Sequence, residues 1–260
     1  MKALASRRRH PAAIVILLLL GLVATGGLYS LLAPKPAQAA VATVDDVAGG
    51  QKLFLANCAT CHGLNAEGRG ANPSLIGVGA AAVDFQVGTG RMPLAGPAIQ
   101  APRSDTVKFT DEEIASLAAY VASLGPGPSV PGDQFTKGDG DIARGNQLFK
   151  VNCAMCHNFA GSGGALTRGK YAPSLSDVSG KHIYEAMVTG PQSMPVFNDA
   201  NLSPKDKNDV ISYLHELDKN ENPGGMTLGN LGPVSEGLFV WVFGLGLMIA
   251  AAVWVGRKAA

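Results

Sequence analysis

The chain has 260 residues, 47 % of them hydrophobic, with 21 Lys and Arg against 20 Asp and Glu and a formal net charge of +1. That length allows more than one globular unit. Leaving out five basic residues in segment 1–35 and two at 257–258, 14 cations face all 20 carboxylates, so the middle carries −6 and lacks the basic footprint nucleic-acid binding needs.

Lys2, Arg7, Arg8 and Arg9 precede residues 11–34, which carry no charged side chain and match the ~20 residues a helix needs to cross hydrocarbon. Two readings of segment 1–35 stand. It is a retained membrane anchor, favoured because signal-peptide apolar cores usually span ~7–15 residues, or a signal peptide cleaved at the small-residue run "AQAA" (Ala37 to Ala40). A second charge-free run, 237–256, is followed by Arg257 and Lys258, with Trp241 and Trp254 near its ends where aromatic rings favour the membrane interface. It reads as a transmembrane helix. Positive charge at both chain ends puts both on the cytoplasmic side and residues ~36–236 on the extracytoplasmic side.

Between the two runs the chain repeats itself. "GQKLFLANCATCH" (Gly50 to His62) aligns without a gap on "GNQLFKVNCAMCH" (Gly145 to His157). Pro73-Ser74-Leu75 answers Pro173-Ser174-Leu175, "TGRMP" ending at Pro93 answers Thr189-Gly190 with "SMP" ending at Pro195, and Ser116–Leu124 answers Asp209–Leu217. Two homologous domains follow, 45–124 and 141–220, joined by a Gly/Pro-rich linker at 125–140, with a second linker at 221–236. Phe and Leu at helical spacing predict helices over 47–59 and 142–154. Thr110 with Glu113 makes a capping box ahead of Ile114, Leu117, Ala118, Val121 and Leu124; Ser203-Pro204 with Asp206 opens the matching final helix. Regions 63–91 and 158–193 read as long Gly/Pro-rich loops, and Phe54 with Tyr120 and Phe149 with Tyr213 as contacts between first and last helices. Domains this small bury only ~60 % of their unfolded surface, so a large apolar group is expected at each centre.

All four cysteines lie in two C-x-x-C-H motifs: Cys58, Cys61, His62 and Cys153, Cys156, His157. This is the attachment sequence of c-type haem: two thiols a turn apart add to the porphyrin vinyl groups and the next imidazole lies under the iron. Structural zinc fits poorly, because 91 residues separate Cys61 from Cys153, far beyond the ~15–20 usual between paired knuckles. A redox dithiol lacks its βαβ context, and a disulfide would not call for the histidine. Two covalently bound haem c groups are expected. For the sixth iron ligand, Met92 is the first domain's only methionine and stands 30 residues after His62. The second domain offers Met194 in the matching "SMP", Met187 at 30 residues after His157, and His182; local loop chemistry favours Met194, and helical periodicity around Met187 suits a core filler. Methionine opposite histidine raises the potential and closes the iron, which suits electron transfer. Met155 points away from the iron, and Met226 and His215 are assigned no role. Pro73 and Pro173 are either turn prolines or carbonyl partners of the ligand histidines.

Two "CxxCH…MP" units between an N-terminal apolar segment and a C-terminal anchor ending in Arg257-Lys258 resemble the dihaem cytochrome c subunits of the actinobacterial menaquinol–cytochrome c reductase, the cytochrome bcc complex. The resemblance covers essentially the whole chain. It implies a mainly α fold of two tandem class I cytochrome c-like domains with long loops, flanked by N- and C-terminal transmembrane helices in the cell membrane. It further implies electrons arriving from the Rieske iron–sulfur and cytochrome b subunits and leaving to a terminal cytochrome c oxidase held in one supercomplex. An electron-accepting dihaem subunit of a periplasmic dehydrogenase, or a free dihaem carrier, is the rival assignment. A dihaem peroxidase would need an open iron, against which Met92 and Met194 argue.

Overall fold

The computed structural model describes residues 11–32, 43–96, 98–219 and 233–258. Lys2, Arg7, Arg8, Arg9, the "AQAA" run and Met226 lie outside them. The helix Pro11–Leu32 belongs to a body of its own. Its 22 residues span about 33 Å at ~1.5 Å per residue, and its hydroxyls are satisfied within the helix: Thr25 Oγ1 donates to Gly21 O at 2.7 Å and Ser30 Oγ to Gly27 O at 2.8 Å. Pro233–Phe239, a π-helical stretch Val240–Leu245 and Gly246–Lys258 follow one another at the other end of the chain. Residues 12–31 and 234–258 are each long and apolar enough to cross a membrane.

The two repeats are built alike. In the first, helices Val44–Asn57, Ala59–His62, Ala80–Gly88 and Asp111–Ser123 enclose a core around Phe54, Val83, Leu117 and Val121. In the second, Ile142–Asn152, Ala154–His157, Gly180–Thr189 and Pro204–Lys219 enclose Phe149, Ile183, Ile211 and Leu214. First and last helices cross where a glycine removes the side chain. A Cβ on Gly50 would sit 1.9 Å from Ser116 O, and one on Gly145 would sit 1.9 Å from Asp209 O. One turn later the expected aromatic pairs meet, Phe54 with Tyr120 at 5.3 Å between ring centroids and Phe149 with Tyr213 at 5.5 Å, both tilted. Both predicted starts of the final helices hold. Thr110 Oγ1 accepts from Glu113 N while Glu113 Oε2 accepts from Thr110 N, and Ser203 exchanges the same bonds with Asp206.

Three expectations need correction. The helices expected over 47–59 and 142–154 stop at Asn57 and Asn152; Cys58 and Cys153, each at φ −120°, break the helix, and a separate turn carries the rest of each motif. Regions 63–91 and 158–193 are not loops throughout. Ala80–Gly88 is a helix, Gly164–Ala165 pairs antiparallel with Tyr171–Ala172, and the helical periodicity read around Met187 holds as the helix Gly180–Thr189. "AAAVDFQVG" shows no apolar stripe because it is buried on several sides, with Ala81, Val83, Asp84, Phe85 and Val87 all enclosed. Residues 125–140 are strapped down: Pro128 O accepts from Ala81 N at 3.1 Å, while Gly138 N, Gly140 N and Asp141 N donate to Asn208, Ser212 and Asp209 side chains at 2.7–3.0 Å.

Helices Ala80–Gly88 and Gly180–Thr189 form the seam between the repeats. Lys181 Nζ pairs with Asp84 Oδ1 at 2.8 Å and His182 Nε2 lies 3.7 Å from the same oxygen. Burial raises the Asp84 carboxyl, but its contacts with His182 and Lys181 outweigh this and hold it below the usual range. Glu185 is the opposite case. It is 0 % exposed, neither carboxyl oxygen has a hydrogen-bond partner among the described residues, and burial, then Asp84's charge, push it up to about 9.

Gly50→Ala should destabilise the protein by about 1–3 kcal/mol, the usual scale of overpacking, whereas Gly49→Ala, whose Cβ meets nothing within 4 Å, should be neutral or slightly stabilising; thermal unfolding followed by circular dichroism compares them. Glu185 gives a pH test. A carboxyl raised to about 9 when folded, from 4.5, is most favourable to the fold below pH 4.5, and this contribution is lost as pH rises toward 9. Glu185→Gln should flatten the decline in melting temperature over that window.

Candidate functional site

Each C-x-x-C-H motif hangs from the end of its first helix by the same backbone bonds. Cys58 N donates to Phe54 O at 2.8 Å, and Cys153 N to Phe149 O at 2.8 Å; His62 N and His157 N donate to Cys58 O and Cys153 O, both at 2.9 Å. The chain then reverses through a positive-φ residue, Gly63 at 83° or Asn158 at 65°, both residue types that tolerate that region. After the reversal Gly68 N donates to His62 O at 2.7 Å and Gly163 N to His157 O at 2.9 Å. The difference in length lies between histidine and proline: 11 positions in the first repeat, 16 in the second, where residues 164–172 form the small hairpin.

This geometry answers the question of the prolines. His62 Nδ1 lies 2.8 Å from Pro73 O and His157 Nδ1 lies 3.0 Å from Pro173 O. A carbonyl oxygen only accepts, so each Nδ1 carries a proton, and in the neutral ring this tautomer leaves Nε2 with the lone pair a metal needs. Burial holds His157 below its ordinary value despite the opposing bond to Pro173, which favours the neutral ring.

In the second repeat a cavity is lined by Cys153, Cys156, His157, Met187 and Met194, with apolar walls such as Leu175, Val178 and Ile183. Met194 and Cys153 pack against the core beside Leu175 and Val178, as Met92 and Cys58 do beside Leu75 and Val78 in the first repeat. Met187 reaches the cavity from the core, at 2 % exposure. His182 is not among the lining residues; it is engaged with Asp84 at the seam. Met155 stands at the rim, 91 % exposed. No disulfide joins the four cysteines, and burial, then Cys156, pushes the Cys153 thiol up to about 12. Paired thiols, a neutral imidazole held from behind, a thioether and a mostly apolar cavity fit covalent haem c.

Sequence reasoning did not anticipate that Phe85, Arg91, Gln100 and Arg103 of the first repeat also line the second repeat's cavity. These positions show no periodicity and no motif of their own beyond Arg91 standing beside Met92. Their role follows only from how the repeats meet.

Comparison with known proteins agrees with this geometry. Residues 47–125 match the family described as "Cytochrome c", and residues 140–214 match "Cytochrome C oxidase, cbb3-type, subunit III". The chain is 44 % identical over 272 residues to the "Cytochrome bc1 complex cytochrome c subunit" of Corynebacterium efficiens, covering 96 % of this chain and 90 % of that protein. It is also 44 % identical to the proteins so named in Mycobacterium leprae, over 94 % of this chain and 87 % of that one, and in Mycobacterium tuberculosis, over 94 % and 90 %.

Proposed function

Because this chain belongs to the cytochrome c subunits of the actinobacterial cytochrome bc1 complex, we propose that it is a membrane-anchored two-haem wire running from the Rieske and cytochrome b subunits to a terminal cytochrome c oxidase. It is a c-type cytochrome that transfers electrons through covalently bound haem c. The proposal adds the number, the ligands and the route. Cys58 and Cys61 would hold one haem and Cys153 and Cys156 the other, with His62 and Met92, and His157 and Met194, as the iron-binding residues. The carrying observation is the duplicated bond from a ligand histidine's Nδ1 to a proline carbonyl, at 2.8 and 3.0 Å.

Haem c, when bound, supplies one-electron chemistry between ferric and ferrous iron. The chain does the rest. Pro73 and Pro173 hold each imidazole with Nε2 free to bind, and their hydrogen bonds raise the basicity of the ligand nitrogen. Met92 and Met194 would bind the iron through their thioethers, which favours the ferrous state and would leave no open position of the kind a peroxidase needs. Apolar walls limit water around the iron, which reduces solvent reorganisation when its charge changes. The helices at 12–31 and 234–258 anchor the head, placed outside the cytoplasm, so its partners are met at high effective concentration and no diffusing carrier is required.

Intact-mass spectrometry of the purified protein should show two haem additions and report the N-terminal residue; the double variant Cys153→Ala/Cys156→Ala should retain one. Met194→Ala should abolish one repeat's methionine-to-iron charge-transfer band and admit carbon monoxide to that reduced iron, while Met187→Ala leaves the band in place. Carbon monoxide binding to the wild type would instead favour an enzyme. Mild detergent extraction should co-purify the cytochrome b, Rieske and oxidase subunits; their absence would favour a dehydrogenase partner.

A further inference from the structure

We propose that the first repeat completes the second repeat's haem site: Arg91 and Arg103 of the first, with Lys170 of the second, receive the two carboxylates of the second haem. The inference rests on the two-haem reading above and adds who holds the anionic edge. Arg91 is 8 % exposed, and its guanidinium stacks on the Phe85 ring at 4.7 Å. Among the described residues no carboxylate lies within ion-pair distance of it. A buried, uncompensated cation is costly, so it implies an anion supplied from elsewhere.

The cavity states the chemistry of that anion. Arg91, Arg103 and Lys170 all line it, and among the described residues no Asp or Glu does, although carboxylates outnumber cations between residues 36 and 256. Mostly apolar walls with several cations and no acid describe a flat apolar ligand with a doubly anionic edge. Haem c has that form, and the thiols that bind it open on the same space. Guanidinium groups suit carboxylates because their paired N–H donors match the two oxygens.

The contact between the repeats at this place is built from specific bonds. The Gln100 amide grips the Tyr171 backbone in both directions, Nε2 donating to Tyr171 O at 2.7 Å and Oε1 accepting from Tyr171 N at 2.8 Å. Gln192 Nε2 donates to Ala101 O at 3.0 Å and Arg103 Nη2 to Asp177 O at 3.4 Å. Tyr171 belongs to the hairpin the first repeat lacks. The extra segment of the second repeat is thus the one the first repeat holds. Arg91 also adjoins Met92, so one dipeptide would serve both haems: a ligand for the first and a counter-charge for the second.

The test is a spectroscopic redox titration of the detergent-solubilised holoprotein, repeated at several pH values. The wave that moves in Met194→His identifies the second haem. In Arg91→Gln this wave should shift at least tenfold toward the ferric form, which is 59 mV for one electron, because removing a nearby cation favours the more positive iron. The potential should also become pH-dependent, because a carboxylate left without its cation in a mostly apolar cavity has a raised pKa and takes up a proton more readily. Arg103→Gln, at an exposed position, should shift the same wave in the same direction and serves if Arg91→Gln does not fold. The proposal is overturned if the second wave stays put in every variant that folds, or if only the first haem's wave moves. A pyridine haemochromogen count below two per chain overturns the two-haem reading itself, a failure visible before any titration.

Discussion

A histidine N–H given to a proline carbonyl, once in each repeat, is the interaction on which the rest depends. It settles the tautomer, leaves the other ring nitrogen available, and ties the motif to a loop 11 or 16 positions away. The crossing of first and last helices makes it possible. Gly50 and Gly145 let the helix before each motif approach the final helix to backbone contact, and the Phe–Tyr pairs one turn on secure that approach. Each cysteine pair and histidine therefore leaves a fixed helix end in a defined direction. Loops of different length then serve the same purpose, because the backbone bonds on either side of them are the same.

The second constraint is the seam. A freely tethered second domain would satisfy its polar groups by itself, but here the repeats share them. Asp84 of one is balanced by Lys181 and His182 of the other, and Gln100 completes the backbone of Tyr171. Buried charges within the second repeat are resolved locally. Lys207, also 0 % exposed, donates to Leu202 O at 2.6 Å and Asp199 Oδ1 at 2.7 Å. Asp209 accepts from Asp141 N and pairs with Lys205. Against that background, Glu185 and Arg91 stand out as buried groups without such partners among the described residues. Glu185 meets the problem by holding its proton; a guanidinium has no such recourse, since its pKa lies far above neutrality.

Membrane attachment and electron transfer fit together physically. The helices at 12–31 and 234–258 are long and apolar enough to cross a membrane, and a relay held by them would search a surface for its partners and not the full volume. Intrahelical bonding of Thr25 and Ser30 lets the N-terminal helix carry hydroxyls with no outside partner.

The sequence alone determined the chemistry and the repetition. C-x-x-C-H is so local that two thiols and an imidazole must share one turn whatever the fold around them, and the capping boxes and glycine–aromatic helices are equally short-range. Local reading stopped where burial replaced periodicity. Ala80–Gly88 gave no amphipathic signal because the seam and the core enclose it from different sides, and the helices before each motif broke at Cys58 and Cys153, which no propensity marks. Only the tertiary structure decided what Pro73 and Pro173 do, that His182 turns to Asp84 and away from the cavity, and that Arg91 enters the neighbouring repeat's pocket. Those outcomes depend on contacts between residues as far apart in the chain as Asp84 and His182, and a burial energy shared across such distances leaves no pattern in the chain itself.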